Sequence, residues 1–277
     1  MRFFPEKEIL VSTVRIGKRK ALVLKNRNMH SVSAGVLWIH GGGYATGMKE
    51  MVYSSRAYDL VKESGVTVVS VDYRLSAFHP YPAGFDDCYA ALLWMKENAL
   101  KLNIRSDQIM VGGESAGGGM TAALCMKARD EHSVNIAFQM PLYPMLDHRD
   151  TETSRDNHGR IWNTRNNHQA WAMYLRKCKN EIPYYASPAL CSDCSGLPPA
   201  YTFVCEGEPF LQETKDYIRH LREAGIEAEM DVYPGNMHAF DMIRPRMKTS
   251  IQAAEAFRQH FRKALTNYYA PQEEKVI

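Results

Sequence analysis

Gln108-Ile109-Met110-Val111-Gly112-Gly113-Glu114-Ser115-Ala116-Gly117-Gly118-Gly119-Met120 is the stretch on which the fold turns. Gln108 to Val111 reads as a strand apolar enough to be buried on both faces. Ala116 to Arg129 carries a helical stripe, so strand and helix meet through Gly113-Glu114-Ser115-Ala116-Gly117. Glycines on both sides of the turn let the two elements approach closely, and Ser115 is left at the apex with its hydroxyl at the C-terminal edge of a sheet. The bland alternative is a glycine-rich helix start that holds an anion.

The same alternation continues in both directions. Val36 to Ile39, Val66 to Val71, Ile136 to Met140 and Tyr201 to Val204 read as buried strands, and Glu227 to Tyr233 as one nearer an edge. Helical stripes separate them: Phe85 to Leu102, with Cys88, Leu92, Met95 and Ala99 on one face, then Phe210 to Ala224 and the C-terminal Thr249 to Leu265. Strands alternating with helices give an α/β fold, a mostly parallel sheet covered on both faces. At 277 residues the chain suits one domain, 1–277, with one large core. Asp147 to Pro183 breaks the rhythm and reads as an insertion. Its aromatics, Trp162, Trp171 and Tyr174, serve either packing or a substrate pocket.

His40-Gly41-Gly42-Gly43 follows the strand ending at Ile39, and consecutive glycines there expose backbone N–H groups that can point at a developing negative charge. With the Ala116 N–H after the serine, Gly42 and Gly43 would form an oxyanion hole. A phosphate cradle would need GxxxxGK followed by Ser or Thr, which Tyr44-Ala45-Thr46-Gly47-Met48 does not supply. A serine alcohol needs a base, and in this arrangement acid and histidine follow the serine in that order. His238 lies in the turn-rich Tyr233 to Phe240, after the last strand, whereas His148, His158, His168, His220 and His260 fall in the insertion or on helices. For the acid, Glu206, Glu208 and Glu213 compete after Val204. Glu208, before Pro209 at the end of the strand-to-helix loop, is preferred.

These motifs together resemble the hormone-sensitive-lipase-like esterases, a branch of the α/β-hydrolases. The resemblance rests on His40 to Gly43, Asp72-Tyr73-Arg74-Leu75, His79-Pro80 with Tyr81-Pro82-Ala83, Gly113 to Gly118, and Gly235 to Phe240. It implies hydrolysis of short-acyl carboxylic esters through an acyl-enzyme, with no cofactor and no metal. It further implies that His40 orients the glycine loop, and that Asp72 and Arg74 are structural. Glu208-Pro209-Phe210 stands where the family has Asp-Pro-Leu, and Ser76-Ala77-Phe78 where it has Ala-Pro-Glu. Fewer than 40 residues precede His40, so the family's cap is reduced to about 147–183 with a contribution from 1–30. An abbreviated cap implies an open site suited to small or glycosidic esters. An amidase or peptidase on the same triad, and a silent ligand-binding scaffold, are the competing readings.

Composition narrows the partners. Lys and Arg (34) nearly balance Asp and Glu (31), so basic groups such as Lys18-Arg19-Lys20 read as solvated surface, with no nucleic-acid partner. Met1 to Glu8 lacks a secretory apolar run, and no stretch reaches the roughly 20 residues of a membrane span, which makes the expected location cytoplasmic. The six cysteines read as free thiols. Cys191 and Cys194 form a CxxC, but no second ligand pair completes a zinc site. The C-terminal helix and edge strands could support a homodimer, though nothing forces one.

Overall fold

In the computed structural model, which describes residues 4–273, the apolar runs pair into a single sheet. Residues 1–3 and 274–277, the ends of the expected domain, lie outside the described residues. In chain order the elements are β1 (Ile9–Ile16), β2 (Arg19–Asn26), β3 (Ser33–Ile39), α1 (Arg56–Ser64), β4 (Thr67–Val71), α2 (Ala83–Glu97), β5 (Ile104–Glu114) and α3 (Ala116–Asp130). They continue with β6 (Phe138–Leu142), α4 (Thr164–Leu175), β7 (Ala200–Cys205), α5 (Leu211–Glu223), β8 (Ala228–Tyr233), α6 (Phe240–Ile243) and α7 (Lys248–Asn267). Among the described residues the strands run in the order β1-β2-β4-β3-β5-β6-β7-β8. β2 is antiparallel to both neighbours, and every pairing from β4 to β8 is parallel.

Side chains alternate across the central strands and feed two cores. Leu37, Ile39, Val69 and Val111 meet Phe85, Leu92, Met120 and Tyr217 on the face covered by α2, α3 and α5. Val36, Trp38, Val68 and Met110 meet Leu60, Val61, Phe257 and Phe261 under α1 and α7. Phe257 and Phe261 are each 1% exposed, and truncating such a side chain to alanine costs about 3–5 kcal/mol.

Three elements differ from the sequence reading. The stripe from Phe85 ends as helix at Glu97, and Ala99 reaches the core from the turn that follows. Residues 9–26, part of the N-terminal segment considered for a cap, form the β1–β2 hairpin on the sheet. Ala21 to Leu24 are buried there, because β2 lies between β1 and β4. Pro141, within β6, has no N–H to give, and the registered pairing of β6 with β7 is the single pair Gln139–Ala200. The Thr202 hydroxyl donates to the Pro141 carbonyl in place of the ladder. Between these two strands the chain makes its long excursion, which holds α4. No helix among the described residues is long and apolar enough to cross a membrane.

Candidate active site

β5 ends at Glu114 and α3 begins at Ala116, so Ser115 alone makes the turn, at φ 56° and ψ −118°. A non-glycine residue with positive φ is strained, and strain of this kind persists only where the surroundings enforce it. The surroundings here are backbone. An ideal Cβ on Gly117 would lie 2.0 Å from the Ile39 carbonyl oxygen, and one on Gly113 2.4 Å from the same atom. The start of α3 is therefore pressed onto the end of β3. The Ser115 N–H donates to Leu142 O at 3.0 Å, and its carbonyl accepts from Met145 N at 3.0 Å, which fixes the turn to the end of β6.

His238 Nε2 lies 2.9 Å from Ser115 Oγ, and Glu208 Oε2 is hydrogen-bonded to His238 Nδ1. The geometry fits an Nδ1–H that donates to the carboxylate and an Nε2 that accepts from the serine hydroxyl. The other Glu208 oxygen accepts from Cys205 N–H at 2.7 Å, so the carboxylate is held at both ends. Backbone bonds tie the two loops together as well: Gly207 N donates to Gly235 O at 2.8 Å and Glu206 N to Tyr233 O at 3.0 Å. Of the three competing glutamates, the structure brings Glu208 to the histidine and leaves Glu206 exposed. Glu213 is buried on α5, where it accepts from Leu146 N (2.9 Å) and Asp147 N (3.3 Å) and so anchors the start of the 147–183 excursion. Burial raises its carboxyl well above the usual carboxylate range.

The glycine loop lies beside the serine: a Cβ on Gly41 would be 2.9 Å from Glu114 O and 3.3 Å from Ser115 Cβ. Among the described residues neither Gly42 nor Gly43 donates its N–H to a backbone carbonyl. His40 is buried beneath the loop, stacked on Tyr73 at 4.2 Å, with Nδ1 2.8 Å from Gly41 O. Burial pushes its pKa down to about 4, which leaves it neutral near pH 7. Arg74 pairs with Asp87 of α2 at 2.8 Å, and Asp72 lies 3.7 Å from Lys49, so both tie the loop after β4 to its neighbours.

Three aromatic rings surround the histidine. Tyr143 and Phe210 stand edge-on to it at 5.1 Å, and Trp162 lies at 6.3 Å. The Trp162 indole also rests on the glycine loop, close enough that a Cβ on Gly43 would be 2.3 Å from its ring. Trp171 packs instead against Tyr44 and Tyr174, and Phe78 is exposed. Ser115 is 6% and His238 5% exposed. Trp162 and the loop bearing it fold back over the edge that carries Gly43 and His238.

The sequence reading missed a buried cluster under the site. Glu114 accepts from Trp38 Nε1 at 2.8 Å, while its Oε1 has no hydrogen-bond partner among the described residues. Asp241, three residues after His238, accepts from the Tyr143 hydroxyl at 2.9 Å. It also makes an ion pair with Arg56 at 3.1 Å, at an angle too poor for a hydrogen bond. Burial, then the nearby Asp241 charge, pushes Glu114 up to about 8. The signal available was a carboxylate inside the elbow motif, where a residue buried on both sides is expected.

Comparison with known proteins bears on the fold family. A family model described as alpha/beta hydrolase fold matches residues 36–242. The chain is 33% identical over 212 residues to carboxylesterase NlhH of Mycobacterium tuberculosis, covering 74% of this chain and 66%, just under two thirds, of that protein. It is 27% identical over 234 residues to ethyl acetate hydrolase of Pseudomonas putida, covering 82% and 73% respectively. A solved bacterial heroin esterase superposes with a TM-score of 0.89 at 31% identity, over 94% of this chain and 85% of that one. Sheet order, family model and relatives thus converge, and the chain belongs to the α/β-hydrolase fold family.

Proposed function

We propose that this protein is a serine carboxylesterase that hydrolyses short-acyl esters of small molecules through an acyl-enzyme. The observation that carries the reading is the hydrogen-bonded line Ser115 Oγ, His238 Nε2, His238 Nδ1, Glu208 Oε2. In this mechanism Ser115 attacks the ester carbonyl while His238 takes its proton, and Glu208 stabilises the imidazolium without being protonated. The oxyanion is received by the N–H groups of Gly42, Gly43 and Ala116. Such donors are worth roughly 10²–10³ in turnover each. His238 then gives its proton to the departing alcohol, and a water activated by the same nitrogen releases the acid.

The segment 147–183 serves as the cap, and Trp162 with Phe210 and Tyr143 limits the acyl side to short chains. The esterase names of the relatives support the substrate class. The test is hydrolysis of p-nitrophenyl acetate, butyrate and decanoate by the wild type and by Ser115→Ala. Activity on the two short esters should fall by several orders of magnitude in the variant. Equal rates in the two proteins would overturn the mechanism.

A further inference from the structure

The CxxC that the catalytic reading leaves unused lies in the loop between the turn Pro188–Leu190 and β7. Cys191 and Cys194 are both free thiols, 7% and 3% exposed, on the wall of one cavity, and the Cys191 thiol donates to Asp193 O at 3.2 Å. Arg129 of α3 holds the loop, donating to Asp193 O at 2.7 Å and to Ser195 O at 2.9 Å, which places a guanidinium beside Cys191. A cavity of about 130 Å³ is lined by both cysteines, with Asp147, Glu213 and His220 also in its wall. Among the described residues no group of three or more His, Cys, Asp or Glu is arranged to hold a metal, so the two thiols stand as a pair without further ligands.

The two thiols are unequal. The neighbouring Cys194 thiol and the Arg129 guanidinium lower Cys191 below the ordinary thiol value against the opposing effect of burial. Cys194 moves upward and keeps its proton. An attacking thiolate next to a protonated partner is the asymmetry that thiol–disulfide exchange requires.

From this juxtaposition we infer that Cys191 and Cys194 form a redox modification site that accepts oxidising equivalents from small-molecule disulfides. The Cys191 thiolate attacks one sulfur of the disulfide, forming a mixed disulfide and expelling one thiolate, which takes up the proton Cys191 released. Cys194 then loses its proton, attacks Cys191 Sγ and expels the second thiolate, which takes up that proton. The protein dithiol has lost two electrons and two protons, and the small disulfide has become two thiols.

The experiment treats the full-length protein with 2-hydroxyethyl disulfide and maps the products by mass spectrometry, with p-nitrophenyl acetate hydrolysis as the folding control. The wild type should lose two hydrogens, contain a Cys191–Cys194 disulfide and recover with dithiothreitol. Cys194→Ser should stop at a mixed disulfide on Cys191, and Cys191→Ser should give neither product. Iodoacetamide labelling of the wild type against pH gives a second reading that needs no variant. Cys191 should reach half its maximal rate about one pH unit or more below half-buried Cys178, whose thiol burial raises. Absence of the 191–194 disulfide, adducts shared evenly with Cys178, or labelling of Cys191 that tracks Cys178 would each overturn the inference.

Discussion

Replacing Glu114 with glutamine should make the protein's stability less sensitive to alkaline pH, by an amount that follows from the site. The carboxyl ionises near 4.5 when unperturbed, but in the folded protein desolvation, Asp241 and the opposing influences of Trp38 and Arg56 leave it at about 8. Between those two values the native state binds a proton that the unfolded chain does not. The sign follows: this group's contribution is fully present below about pH 4.5, falls as pH rises, and is lost above about pH 8. Each pH unit that separates the folded from the unfolded ionisation corresponds to about 1.4 kcal/mol, so the wild type should lose about 3–4 kcal/mol relative to Glu114→Gln between pH 5 and pH 8. Glutamine keeps an oxygen for Trp38 Nε1 and does not titrate, while Asp241, Arg56 and Tyr143 are common to both proteins. Urea unfolding at pH 5, 6, 7 and 8 supplies the difference in free energy directly. A difference that stays constant across that range would show that Glu114 ionises normally in its buried position, and the reasoning would fail.

Two further outcomes test the walls and floor of the site. Trp162→Ala should raise the ratio of kcat/KM for p-nitrophenyl decanoate over acetate by roughly tenfold, because a pocket wall discriminates chain length by about 1–3 kcal/mol. An unchanged ratio would remove the indole from the acyl side. Gly117→Ala should yield little folded protein, or a fold with Tm lowered by about 10 °C or more, as expected of a strained core change of several kcal/mol. The methyl group meets the Ile39 backbone at 2.0 Å, and no side chain is available there to move aside. A native-like Tm would contradict that contact.

The central strands were legible because burial on both faces demands continuous apolar runs, and Val36–Ile39 and Tyr201–Val204 each lie within an observed strand. The β1–β2 hairpin was missed although its signal is local. Ile16 pairs with Arg19 across the two-residue loop Gly17-Lys18, with Gly17 at φ 55° as a type II′ turn requires. The basic cluster at Lys18-Arg19-Lys20 reads equally well as free surface and hides the pairing. Serine and histidine could be found from their place in strand-turn-helix order, because elements fix them locally. The identity of the acid rested on loop position alone, and what singles out Glu208 is a contact with a residue 30 positions away. The Glu114, Asp241, Arg56 and Tyr143 cluster joins four distant parts of the chain, and no periodicity records such a meeting. Nor could sequence say that Trp162 covers the histidine while Trp171, on the same excursion, packs inward.

The contact of Gly113 and Gly117 with the Ile39 carbonyl has a consequence for how this enzyme can change. Where main chain rests on main chain, there is no side chain for mutation to enlarge, shrink or recharge, so the floor beneath the serine is closed to gradual variation. Variation is left to the opposite side, where the partly exposed Trp162 ring can be exchanged without touching the Ile39 contact that holds the Ser115 turn. The architecture separates a part of the molecule that selection can only keep from a part that it can tune.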